Sequence, residues 1–205
     1  EWNVMPFGLC NAPATFCRLM ESVLADIVWT KCLVYLDDIV AFGKTFEESL
    51  LNLAAVFERL RASNLKLKPS KCILFRTEIE YLGHEVSGAG IRPCRKKIAA
   101  LHNWKSPTTL NEVRTFLGFT GYYRQFVREY SEMAKPLTAL TKKDVPFQWT
   151  SREEEAFNRL RHALMDVVML HYPKEGLDFH LTTDASLYAI GAVLEQDQGA
   201  GRVPL

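Results

Sequence analysis

Apolar residues recur at Phe16, Leu19, Met20, Val23, Leu24 and Ile27, a stripe that predicts a helix over residues 13–29. Asn11 stands where a cap is needed, and Pro13 suits a first helical turn. The period then changes. Residues 32–36 and 39–42 predict two short strands around Asp37 and Asp38, and Gly43 closes the hairpin. Thr45 and Glu48 have capping-box spacing ahead of a helix over 46–62. Its predicted inward residues are Leu50, Leu53, Ala54, Phe57 and Leu60, and Asn64 suits a left-handed helix end.

Residues 65–68 alternate like a strand that Pro69 breaks. The runs 72–75 and 78–86 predict a further hairpin, 87–90 a turn, and the composition shift at 91–93 a domain boundary near residue 90. From 93 to 145 the pattern is helical and short-looped. Thr109 with Glu112 forms a second capping box, and Val113, Phe116, Leu117, Tyr123, Phe126 and Val127 are core candidates. Pro136 is expected in the first turn of another short helix. A third box, Thr150 with Glu153, opens a helix lined by Phe157, Leu160, Leu164 and Val167. Leu177, Phe179, Leu181 and Thr183 then alternate in a strand ending at Asp184, with a second strand over 188–196.

Composition adds little to this picture: of 205 residues, 48% are hydrophobic and 24% charged, as in ordinary folded domains. No run of eighteen apolar residues occurs, so no membrane-spanning helix and no membrane partner are expected. No signal peptide opens the chain, and its first residue, Glu1, falls inside a folded pattern. It is therefore expected to be a piece of a longer polypeptide. Five cysteines, without a C-x-x-C pair, argue against a zinc site or disulfide framework and for a reducing compartment.

Charge changes the picture more. Residues 59–105 hold eleven Lys and Arg against three Glu, in a chain whose net charge is only +1. Such a basic middle fits either a polyanion-facing surface or solvated helix and turn faces. The Asp37–Asp38 pair raises a sharper question. Strands tolerate Asp poorly, and the favoured two-residue hairpin turns use Gly or Asn. Adjacent carboxylates repel, and a divalent cation relieves that repulsion. Magnesium takes one or two carboxylates together with substrate phosphates. From these residues alone a solvated turn and a metal site both remain open.

The string Tyr-Leu-Asp-Asp at 35–38 resembles the Tyr-x-Asp-Asp motif of reverse transcriptases. Four more stretches follow that family in order. MPFGLCNAPATF is similar to its Pro-x-Gly…Pro-x-x-Phe segment. LKLKPSKC with EIEYLGHEVSGAGIRP resembles its palm–thumb junction. LNEVRTFLGFTGYYRQFV through FQWT resembles the thumb and connecting region of gypsy-type LTR retrotransposons. LTTDASLYAIGAVLEQ resembles the opening hairpin of the RNase H-like domain in their Pol polyproteins.

The resemblance implies an α+β fold in three parts. Residues 1–90 would form the C-terminal part of the palm, an antiparallel hairpin with packed helices. Residues 91–145 would form the thumb and connecting helices, and 146–205 a truncated RNase H-like start with exposed edges. It implies RNA-directed DNA synthesis coupled to ribonuclease H, with Mg²⁺ (or Mn²⁺) as cofactor. Its partners would be an RNA template, a DNA primer, RNA–DNA hybrid, dNTPs and the rest of the Pol polyprotein. The setting would be intracellular, in a cytoplasmic particle or the nucleus.

Carried over by position, Asp37 and Asp38 would be metal-binding catalytic carboxylates, and Asp184 the first carboxylate of RNase H. Tyr35 would lie against the primer terminus, while Phe7 and Gly8 border the incoming nucleotide. Leu82, Gly83 and His84 would grip the primer strand, and Lys71 would hold or protonate a phosphate. Arg92, Arg95, Lys96 and Lys97 would contact the nucleic-acid backbone without reading sequence. The family also needs a further palm Asp before residue 1 and further RNase H carboxylates after 205. The chain alone is thus expected to be inactive, and an inert nucleic-acid-binding remnant of a retrotransposon is the alternative.

Overall fold

The structure is a computed structural model and describes residues 1–6, 8–185 and 190–205. The chain divides into two units, Glu1–Arg76 and Thr77–Leu205.

In the first unit, α1 (Ala12–Leu24) carries Pro13 in its first turn. Asn11 occupies the N-cap position, but its side chain makes no capping bond. The helix stops at Leu24, five residues short of the expected end, and a turn leads into a hairpin of β1 (Cys32–Tyr35) and β2 (Asp38–Ala41). The expected stripe holds at Met20, Leu24 and Ile27, whereas Leu19 faces outward. Those three residues pack with Cys32 and with Val56 and Leu60 of α2 (Phe46–Ala62).

At the start of α2, Thr45 Oγ1 accepts from Glu48 N at 3.1 Å. The Glu48 carboxylate returns to Lys44 N at 2.7 Å rather than to Thr45. The helix ends as expected: Asn64 takes φ 54, with Leu65 N donating to Leu60 O and Asn64 N to Arg61 O. Its inward face is rotated from the expected one. Asn52, Val56 and Leu60 are buried, while Leu50 and Phe57 are exposed. The cause is Asn52, whose Nδ2 donates to Phe42 O at 2.8 Å and so draws a polar residue onto the buried side. Gly43 lies beneath the same helix start. A Cβ there would come 2.6 Å from Ser49 N.

Residues 65–68 form no strand, and Pro69–Lys71 is a single 3-10 turn. The 72–75 run forms no strand either. The hairpin expected to pair it with 78–86 instead folds 78–87 on itself, because Leu82 and Gly83 supply a turn of their own.

The second unit opens with that hairpin, β3 (Glu78–Tyr81) and β4 (His84–Ser87). The turn expected at 87–90 narrows to 88–89, since Ser87 pairs with Gly90 at the start of β5 (Gly90–Pro93), and β6 (Leu170–His171) completes an antiparallel sheet in the order β3-β4-β5-β6. Helices α3 (Arg95–Ala99), α4 (Leu110–Tyr122), α5 (Tyr130–Leu140) and α6 (Ser151–Met165) enclose the larger core. Val113, Phe116, Tyr123, Phe126, Val127, Phe157, Leu160 and Leu164 are all buried in it. At the start of α4, Thr109 Oγ1 accepts from Glu112 N as expected, but the Glu112 carboxylate returns to Thr108 rather than Thr109, so only half of that box forms. The box at Thr150–Glu153 forms in both directions. Pro136 differs from expectation. It sits inside α5, which begins six residues earlier behind Glu129 in a left-handed conformation.

A second sheet follows, with β7 (Phe179–Ala185), β8 (Ile190–Asp197) and a third strand not expected from the sequence, β9 (Arg202–Pro204). Gln196 of β8 is fully buried. Its Oε1 accepts from Lys174 N at 2.8 Å, and its Nε2 donates to Lys174 O and Leu177 O at 3.0 Å each. Phe179, Leu181 and Leu194 share one face of this sheet and remain exposed.

Candidate functional site

The β1–β2 hairpin places the acidic pair. Tyr35 and Asp38 form its last cross-strand pair, so Leu36 and Asp37 are the two-residue loop. Asp38 therefore begins β2 rather than lying in a turn between the strands. Leu36 has φ 55, a left-handed value that such loops usually assign to glycine. A leucine held there stores local strain of about 1–2 kcal/mol at the tip.

Both carboxylates are exposed, and among the described residues neither makes a hydrogen bond or an ion pair. Tyr35 is half-exposed and, as the cross-strand partner of Asp38, emerges on the same face. Two uncompensated carboxylates on consecutive residues suit a hard divalent cation that takes its remaining ligands from phosphates and water. Among the described residues no group of three or more His, Cys, Asp or Glu gathers to hold a metal.

Gly8 takes φ 90, and a Cβ there would meet nothing within 4 Å, so its conformation, not crowding, calls for glycine. Phe7 lies outside the described residues. Lys71 ends the Pro69–Lys71 turn with an exposed side chain.

The β3–β4 hairpin builds a second constellation. Leu82 and Gly83 both have positive φ, 49 and 76, the signature of a tight two-residue hairpin turn. Leu82 O accepts from Tyr122 Oη at 2.5 Å and meets His84 Nδ1 at 3.0 Å. Gly83 O accepts from Tyr123 Oη at 2.9 Å and from Cys94 N at 3.0 Å. The His84 ring packs among Tyr122, Tyr123 and Phe126, with centroids 5.3–5.6 Å away. Its Nε2 is buried and, among the described residues, has no hydrogen-bond partner.

Burial lowers the His84 pKa. The bond to Leu82 O opposes this, and the Lys97 charge adds to it. Burial also pushes the Tyr123 hydroxyl up to about 12, so it remains a donor at any ordinary pH. Sequence reasoning placed Tyr123 in the core and gave Tyr122 no role. The only signal available was the adjacent tyrosines of GYYRQF.

The four basic residues at 92–97 divide into two kinds. Arg92 Nε donates to Glu85 at 2.7 Å and its Nη2 to Glu78 at 2.9 Å. Arg95 meets the same Glu85 through its backbone N at 3.0 Å and its Nε at 3.4 Å. Burial would raise the Glu85 pKa, but the Arg95 N–H and the Arg92 guanidinium outweigh it, and the carboxyl stays below its ordinary value. Lys96 and Lys97 form no ion pair among the described residues. Lys97 Nζ lies beside the turn, 3.0 Å from where a Gly83 Cβ would stand.

Asp184 is the penultimate residue of β7, opposite Gly191, and is exposed.

An antiparallel hairpin with a Tyr-x-Asp-Asp tip, a helical region and a β-sheet whose first strand carries an exposed aspartate near its end fit one class: a reverse transcriptase joined to an RNase H-like domain. Residues 1–86 match the family described as reverse transcriptase (RNA-dependent DNA polymerase). Residues 149–205 match the RNase H-like domain found in reverse transcriptase. The chain is 43% identical over 198 residues to the retrovirus-related Pol polyprotein from transposon 297 of Drosophila melanogaster, covering 96% of this chain and 19% of the relative. It is 37% identical to that from transposon 412 of the same organism, covering 98% and 16%. To the transposon Tf2-3 polyprotein of Schizosaccharomyces pombe it is 32% identical, covering 96% and 15%.

A foamy viral protease–reverse transcriptase solved in complex with double-stranded DNA superposes with a TM-score of 0.85 at 27% identity, over 99% of this chain and 36% of that one. The foamy viral enzyme solved with an RNA/DNA hybrid gives 0.79 at 27% identity, over 99% and 27%. Residues 1–86 thus belong to the reverse transcriptase family and 149–205 to the RNase H-like domain that accompanies it, and the chain as a whole is similar to retrotransposon Pol polyproteins, in line with the gypsy type. It spans less than a quarter of the length of these curated relatives. Among the described residues, no helix is long and apolar enough to cross a membrane.

Proposed function

We propose that this segment supplies the catalytic hairpin and the primer-holding surface of an RNA-directed DNA polymerase, together with the first strands of its ribonuclease H. The observation that carries the reading is the β1–β2 tip, where Asp37 and Asp38 stand exposed and, among the described residues, unpaired within the stretch that matches reverse transcriptases. Residues 1–90 then serve as palm, 91–145 as thumb and connection, and 146–205 as RNase H-like start. The family boundaries at 86 and 149 support this division.

Asp37 and Asp38 provide the carboxylate oxygens for divalent metal. Mg²⁺ (or Mn²⁺), when bound there with nucleotide phosphates, supplies activation of the primer hydroxyl and neutralises the departing pyrophosphate. Tyr35, on the same face as Asp38, orients the primer terminus. Gly8, open on its Cβ side, leaves room for a dNTP against the backbone, and Phe7 borders the same nucleotide. The 82–84 turn holds the primer strand, and Lys71, Lys96 and Lys97 meet phosphates. Arg92 and Arg95 act chiefly by fixing Glu85. Asp184 contributes one carboxylate to cleavage of the RNA strand of RNA–DNA hybrid. The foamy viral relatives solved with duplex DNA and with RNA/DNA hybrid support these partners.

The test is Asp37→Asn in the reverse transcriptase that carries this segment. Primer extension on RNA with Mg²⁺ should fall by at least about a hundredfold while the melting temperature is unchanged. Retained extension at normal folding would overturn the assignment.

A further inference from the structure

The Leu82–Gly83 turn is held by a device that nucleotidyl transfer does not itself require. Two adjacent side chains of one helix end each donate a hydroxyl proton to one of its two carbonyls: Tyr122 to Leu82 and Tyr123 to Gly83. A second donor group completes each carbonyl, His84 Nδ1 at Leu82 and Cys94 N at Gly83. Every acceptor position of the turn's carbonyls is thereby occupied from within the protein. The tight turn needs positive φ at both residues, and leucine resists it. At φ 76 a side chain at Gly83 would be strained, and its Cβ, 3.1 Å from Tyr123 Oη, would press that hydroxyl out of place.

We propose that Tyr122 and Tyr123 are positioning residues for the primer strand: their paired hydroxyls lock the Leu82–Gly83 turn with its carbonyls inward and so fix the surface on which primer phosphates rest. This rests on the reading of residues 82–84 as a primer contact. Turned-in carbonyls remove two partial negative charges from the path of an anionic strand. Lys97 Nζ stands beside the same turn as a counter-charge. The Tyr123 hydroxyl, kept protonated by burial, donates throughout the working pH range.

The experiment uses the polymerase carrying this segment with Tyr122→Phe, Tyr123→Phe and the double substitution, each losing only oxygen. A primer bearing 4-thiothymidine near its 3′ end, annealed to RNA, reports contact through photo-cross-links mapped to residues 81–85. The double variant should lose about tenfold in primer–template affinity and in cross-link yield, as expected for two hydrogen bonds. The KM for dNTP should be unchanged and the melting temperature within a few degrees. A merely structural role would instead lower the melting temperature and spare the affinity of the folded fraction. Wild-type cross-links at 81–85 that persist undiminished in the double variant, with unchanged affinity, would overturn the proposal and leave the primer contact standing. No wild-type cross-link at 81–85 would overturn the primer contact itself, and the proposal with it.

Discussion

Glu85 receives Arg92 Nε at 2.7 Å on one carboxylate oxygen and the Arg95 backbone N–H at 3.0 Å on the other. One acid on β4 thus ties β5 to the first turn of α3. Its side chain is 15% exposed, so these bonds are screened far less than those of a surface pair. Glu85→Gln should destabilise the second unit by about 1–3 kcal/mol, read as a shift in its urea midpoint. The folded-state pKa of Glu85 lies below its ordinary value, so this contribution is present above pH about 4.5 and is lost as pH falls further. The wild-type and Glu85→Gln curves should converge at low pH.

Lys96 and Lys97 should behave differently from Arg92. Lys96→Gln with Lys97→Gln should weaken duplex binding and reduce the log–log salt slope by about one per lysine. Arg92→Gln should mainly lower the melting temperature, because its guanidinium is already engaged by Glu85 and Glu78. Equal salt slopes for wild type and the double lysine variant would remove these lysines from the interface.

His84 gives the second unit a pH dependence of definite sign. Burial depresses its folded-state pKa below the ordinary 6.5, so the unfolded chain binds the extra proton more readily. The stability from the neutral, packed ring is complete above pH about 6.5 and is lost as pH falls through the lowered value. Thermal unfolding between pH 7.5 and 5 should show a decline that His84→Phe reduces. A flat wild-type profile would contradict the burial of this ring.

Gly43→Ala should be costly, because Gly43 is half-buried beneath the start of α2. The added Cβ would meet backbone at Ser49 N, 2.6 Å away, and main chain at the start of α2 has little freedom to retreat. A loss of about 1–3 kcal/mol is expected in chemical denaturation, against a gain of about 0.5–1 kcal/mol for Gly118→Ala inside α4, where no atom lies within 4 Å. Similar values at the two positions would mean that α2 can move away.

The features legible in the sequence were those with local causes. The caps at Thr45, Thr109 and Thr150 and the left-handed end at Asn64 depend on residues within one turn of each other. The core of Val113, Phe116, Phe157 and Leu160 followed from helical periodicity. What escaped depends on partners distant in sequence. Asn52 turned α2 by bonding Phe42, a residue ten positions back. Alternation at 65–68 found no neighbouring strand, and a strand pattern without a ladder partner does not form. Pro136 lies within α5 because Glu129 started the helix in a conformation that no cap signal announces. At the site, the motif located Asp37 and Asp38 but not the strained Leu36 between them and Tyr35. The tyrosine hydroxyls on the 82–83 turn act across forty residues, beyond any local pattern.

Gln196 shows how a single amide can specify alignment by discrimination. It meets one backbone N–H and two backbone carbonyls, and only an amide offers both an acceptor and two donors there. Its neighbours on β8 are Glu195 and Asp197. A slip of β8 by one residue in either direction would present a carboxylate to the carbonyls of Lys174 and Leu177, oxygen against oxygen. The order Glu-Gln-Asp therefore works as a proofreading triplet: the correct alignment is rewarded at its centre, and each adjacent error is rejected by repulsion.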